Sequence, residues 1–92
     1  MKFVKKSKME LSDILVPDLF ILNYMISLEA VDIKVYLYML FLNKNQTEMD
    51  NATFAKKLCI TENELSFSLD RLQTEELIVK TSQGFNIVDL KE

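Results

Sequence analysis

The chain is 92 residues long, carries eleven Lys and Arg against fourteen Asp and Glu for a net charge of −3, and is 49% hydrophobic. A chain of that size forms one small domain burying only about 60% of its unfolded surface, and a single Gly and a single Pro leave little room for long loops or a many-stranded β fold. With no His, one Cys and one Gly, the sequence lacks catalytic triads, thiol–imidazole pairs, zinc sites and phosphate-cradling loops, so neither an enzyme nor a bound cofactor or metal is expected.

The charge is unevenly spread. Lys2, Lys5, Lys6 and Lys8 form a basic arm, predicted over residues 1–8, ahead of a single domain over 9–92. One Cys fits a reducing cytoplasm. The longest apolar run, "VYLYMLFL" at 35–42, is far short of the about 18 residues that span a bilayer, so no membrane partner is expected.

In chain order, "MELSDILV" (9–16) reads as extended, because the residue before Pro17 is disfavoured in a helix. Pro17 suits the first turn of a short helix through Met25. Glu29 to Asn43 carries the strongest helical pattern: Val35, Met39 and Leu42 lie on one side, Ile33, Leu37, Leu40 and Phe41 on the other, and Tyr36 and Tyr38 on the flanks. A helix apolar all round is predicted to be buried all round, at the centre of the fold or in a homodimer interface.

"NKNQTEMDN" (43–51) reads as a polar loop whose Asp50 or Asn51 caps a helix through Leu58, with Phe54, Ala55 and Leu58 inward. Thr61 and Glu64 have the spacing of a capping box, and Leu65, Leu69 and Leu72 form the core stripe of the helix that follows. "LIVKT" and "GFNIV" flank "SQG" as a hairpin, with Gly84 at its positive-φ position. The fold class is therefore mainly α with a small β-hairpin.

Helix, helix, helix, turn, helix, hairpin is the order of a winged helix-turn-helix. "AKKLCITENEL" (55–65) is similar to that family's turn region, and residues 14–88, above all "VPDLFILNYM" and "IKVYLYML", resemble the N-terminal winged-helix domain of DnaD-like replication proteins. The chain also resembles the small winged-helix accessory proteins of conjugative plasmid relaxosomes. The resemblance implies a cytoplasmic, dimeric protein that binds double-stranded DNA beside replication or relaxosome proteins. Two departures stand out. Cys59, expected to be a buried small hydrophobe, occupies a turn position usually held by Gly; Phe67 and Asp70 replace residues that are often basic.

The helix beginning at Thr61 is acidic, with Glu62, Glu64, Asp70, Glu75 and Glu76 against Arg71 alone. Its outer face presents Asn63, Phe67, Asp70, Arg71 and Thr74. Of these, Asn63 suits an adenine edge, Arg71 a phosphate, and Phe67 a protein contact. The carboxylates repel DNA, so contact is expected instead from Lys80, Thr81, Ser82, Gln83, Gly84 and Asn86 of the hairpin, from Lys56 and Lys57 before the turn, and from Lys5 and Lys6 of the arm. The alternative expectation is a winged-helix interaction module whose acidic helix and Phe67 bind a protein and which does not bind DNA.

Overall fold

The computed structural model describes residues 13–90, which form a mainly helical fold completed by one antiparallel hairpin. Residues 13–17 lack regular structure, and the following segment is helical but not a plain α-helix. Phe20–Tyr24 forms a π-helical turn and Met25–Ser27 a 3₁₀ turn, in place of the expected helix through Met25. The Phe20 N–H donates to the Pro17 carbonyl at 3.0 Å, so proline does open the segment. Phe20 is its only buried residue and stacks on Tyr36, with ring centroids 4.3 Å apart.

Helix α1 spans Ala30–Lys44, α2 spans Asn51–Lys57 and α3 spans Glu62–Thr74. Their N-termini follow the expected chemistry. Asp50 caps α2, its Oδ1 accepting from the Thr53 N–H at 2.7 Å. Thr61 and Glu64 close a reciprocal capping box on α3, at 3.0 and 2.9 Å. At the start of α1 the Glu29 N–H donates to Asp32 Oδ2 at 3.1 Å.

All three helices end by one device. The residue just past each end has a left-handed backbone: Gln46 at φ 51°, Cys59 at 58° and Glu76 at 61°. The next residue's N–H reaches back five positions, Thr47 to Leu42, Ile60 to Ala55 and Leu77 to Leu72, each at 3.0 Å. These are Schellman ends, where glycine is favoured because a β-carbon crowds the following carbonyl. The lone glycine is spent elsewhere: Gly84, at φ 138°, opens the second strand. Cys59 is exposed, which corrects the expectation that it is a buried hydrophobe.

Strands β1 (Ile78–Thr81) and β2 (Gly84–Ile87) pair antiparallel across a two-residue Ser82–Gln83 turn, with Ile78 opposite Ile87 and Thr81 opposite Gly84. Below the ladder, the Val88 N–H donates to the Leu77 carbonyl at 2.9 Å. The core gathers Phe20, Val35, Tyr36, Phe54, Ala55, Leu65, Leu69, Leu72, Leu77 and Ile78 between α1, α2, α3 and β1. The expected Leu65–Leu69–Leu72 stripe is buried. By contrast, α1 is not covered on all sides among the described residues: Val35 and Tyr36 are buried, Leu37 to Leu40 half-buried and Phe41 exposed.

Two polar residues, Asp32 and Ser68, lie within this core. Asp32 is fully buried; it accepts from Ser68 Oγ at 2.8 Å and from Arg71 Nε at 2.9 and 3.0 Å, while Arg71 Nη2 lies 2.8 Å from its Oδ1. Burial pushes the carboxyl's pKa up, but hydrogen bonds from Arg71, Ser68 and the Glu29 N–H, with the guanidinium charge, hold it below the ordinary aspartate value.

These features carry three predictions. Glycine at position 46, 59 or 76 removes a left-handed β-carbon at the cost of a looser unfolded chain, so each change is expected to stabilise by about 0.5–1 kcal/mol. Denaturant midpoints on the single and triple variants check this, and unchanged midpoints count against strain at these ends. Arg71→Ala leaves a buried carboxylate without its cation, and the expected loss is about 2–4 kcal/mol, below the full cost of a buried pair because Arg71 is 39% exposed. Because the folded-state pKa of Asp32 is depressed, its stabilising contribution is present above the unfolded value near 3.9 and is lost as pH falls through the folded value. Acid titration of stability is therefore expected to lose this component in Asp32→Asn.

Candidate nucleic-acid interface

Of the hairpin residues expected to bind DNA, all but half-buried Thr81 are exposed. Lys80 is exposed on β1 opposite Phe85, and Ser82 and Gln83 are exposed in the turn. Thr81 shapes the tip: its Oγ1 donates to the Gly84 carbonyl at 3.2 Å and accepts from the Gln83 N–H at 3.3 Å. Asn86, opposite Val79, is also exposed. The tip thus offers one ammonium, a hydroxyl and two amides within a short span, on a backbone tightened by its own threonine.

The tip borders a groove of about 1340 Å³. One wall is Gln46–Asn51, the other is Lys80–Ile87, and Phe54, Leu65 and Leu69 lie between them. Helix α3 contributes Ser66 and Asp70 to this side. The charged lining residues are Glu48, Asp50 and Asp70 against Lys80 alone, so the groove beside the tip is acidic. The hydrogen bond from Thr53 lowers the pKa of Asp50, so that carboxylate keeps its charge.

A second cationic group lies at the C-terminal end of α2. Lys56 and Lys57 are exposed in its last turn, as the sequence leads one to expect. Lys34 of α1 joins them, its Nζ donating to the Leu58 carbonyl at 2.9 Å. Ammonium groups are favourable there because the last carbonyls of a helix carry its negative dipole end.

The outer face of α3 separates its expected members. Asn63 is exposed and Phe67 is 62% exposed. Arg71 is turned inward onto Asp32, so the helix's one cation is engaged within the fold, which corrects its assignment to phosphate. Lys5 and Lys6 lie outside the described residues.

Sequence reasoning missed Asp32, Ser68, Lys34 and the 46–51 wall. Asp32 left one signal, being the sole carboxylate between Ala30 and Leu42; nothing marked Arg71, 39 residues away, as its partner. No family model, curated protein or solved structure matches the chain. No helix among the described residues is long and apolar enough to cross a membrane.

Proposed function

We propose that the chain is a winged helix-turn-helix accessory protein that binds double-stranded DNA as a homodimer, through its hairpin and the lysines at the end of α2. The observation that carries this reading is the hairpin, where Lys80 on β1, Ser82 and Gln83 in the turn and Asn86 on β2 are all exposed. A tip of this kind suits a minor groove, where amides and hydroxyls meet the acceptor edges of A·T pairs. Lys34, Lys56 and Lys57 supply a second phosphate-facing group. α3 takes a lesser part, since its only arginine is bound to Asp32 and its outer face keeps Asp70. Replication or transfer of bacterial or plasmid DNA is the setting proposed, on the resemblance to DnaD-like and relaxosome proteins.

Dimerisation is supported by apolar side chains left on the surface of the segment before α1, among them Leu22 at 68% and Ile26 at 84% exposure. The second reading, a protein-interaction module without DNA binding, is favoured by exposed Phe67 and by the acidic groove.

Two tests separate these readings. Lys80→Ala is expected to weaken binding to every DNA sequence and flatten the salt dependence by about one unit, whereas Gln83→Ala changes which sequence is preferred. A binding series on these variants and Ser82→Ala, with circular dichroism to confirm folding, checks this; if all three bind like the parent, the protein-interaction reading replaces it. Sedimentation equilibrium is expected to give twice the 10.7 kDa chain mass for the parent and the single mass for Leu22→Asp/Ile26→Asp. Both side chains are exposed, so loss of the dimer would not reflect core damage; a monomeric parent at high concentration overturns the dimer.

A further inference from the structure

One wall of the groove beside the hairpin is unpaired main chain. All four residues of β2, Gly84–Ile87, line it. Successive strand residues point to opposite faces, so four in a row bordering one space means that the groove meets β2 along its edge. The phase of the ladder then fixes which main-chain groups face it. The Val88 N–H donates to the Leu77 carbonyl, and bonded pairs recur at every second position of an antiparallel ladder. Val79–Asn86 and Thr81–Gly84 are therefore the next bonded pairs in this register. Phe85 and Ile87 hold the positions between, where N–H and C=O point away from β1. Among the described residues neither makes a main-chain bond on that side, and β2 pairs with no strand but β1.

The space in front of that edge is about 1340 Å³, above the roughly 300–1,000 Å³ typical of small-molecule pockets. Exposed Glu48, Asp50 and Asp70 line it against Lys80, and half-buried Met39, Leu42 and Met49 give it apolar surface. Such a lining repels phosphate, so DNA is not its occupant. We propose that the groove takes an extended segment of another protein, rich in Lys or Arg with apolar side chains between them, as a strand added to β2. Charge complementarity selects the cations, since three carboxylates stand against one ammonium. The outward groups of Phe85 and Ile87 lie two residues apart, about 7 Å along the strand, and that repeat matches an extended backbone and no helix. Main-chain bonds then supply affinity, and the side-chain contacts supply specificity. This docking rests on the protein contact of the second reading above, gives that contact a place away from Phe67, and stands whether or not the hairpin also binds DNA.

The probe is a synthetic peptide of about eight residues alternating lysine and valine, the length of an ordinary strand, added to the full chain while amide signals are followed by NMR. Shifts are expected at Phe85, Asn86 and Ile87 and across Glu48 to Asn51, with none at Lys56 or Lys57. A copy with glutamate in place of lysine is expected not to bind. Glu48→Gln/Asp70→Asn, which alters only exposed side chains, is expected to weaken binding about two- to ten-fold, the effect of losing two surface ion pairs. Insensitivity to that variant overturns the charge basis of the fit. Methylating every peptide N–H keeps the charge and is expected to abolish binding; retained binding overturns strand addition. No shift at millimolar peptide, or spermine binding as tightly as the peptide, overturns the proposal. Shifts confined to Asn63 and Phe67 overturn the groove while leaving a protein contact on α3 standing. The same shifts on concentrating the chain alone, or contacts from residues 1–12 to Phe85 in the free chain, make the chain itself the occupant and overturn it.

Discussion

The carboxylate of Asp32 is where this small fold is tied together. It sits in the first turn of α1, accepts the Glu29 N–H, and meets Ser68 and Arg71 on α3. A lone buried carboxylate is costly in an apolar interior, and hydrogen bonds on both oxygens offset that cost only if α1 and α3 hold one relative position. An apolar interface between helices tolerates sliding and repacking; a bidentate arginine does not. The pair thus fixes the angle at which α3 leaves the core, and with it where the hairpin packed on α3 emerges. The same bond engages the only arginine of α3, although its side chain stays 39% exposed. The outer surface of α3 is acidic not only in composition but also because its one cation is bound to Asp32.

Thinness of the core explains a second trait. With ten buried hydrophobic residues among those described, the domain has little to spend on strain, yet three helices stop at non-glycine residues in left-handed conformation. At two of the three ends an apolar side chain packed on the core follows, Ile60 after Cys59 and Leu77 after Glu76, whereas Gln46 is followed by exposed Thr47. The main-chain bonds to Ala55 and Leu72 then satisfy carbonyls that the helices would otherwise leave free. Sharp, well-bonded ends let short connections replace long loops in a chain with one glycine.

Much of this was legible in the sequence, and the legible part was local. The Thr61–Glu64 box, the Asp50 cap, the Leu65–Leu69–Leu72 stripe and the position of Gly84 each depend on residues within a few places of one another, where propensity and hydrogen-bond reach decide the outcome. Tertiary consequences were not legible. Arg71 read as a surface cation because nothing within its own helix reveals Asp32, and Cys59 read as buried because apolar character says nothing about which way a left-handed residue projects. The helix predicted from Pro17 failed differently. The start signal was right, but the ring of Phe20 stacks on Tyr36 within a widened π turn that no local propensity encodes.

The acidity of α3 bears on how the proposed interface would work. A recognition helix that enters a major groove must bring donors to base edges while phosphates close in on both sides. Asp70 and Glu64 are exposed on α3, and no arginine is free there to offset them. Exposed cations stand instead on other elements: Lys80 on the hairpin, and Lys56 and Lys57 at the end of α2 with Lys34 beside them. Cations on the hairpin and at the end of α2, with carboxylates on α3, suit the proposed duplex contact made away from α3. Phe67, exposed on α3, takes no part in that proposed contact. The proposed DNA contact therefore draws on the hairpin and α2, while the exposed aromatic of α3 favours the alternative reading, a protein contact.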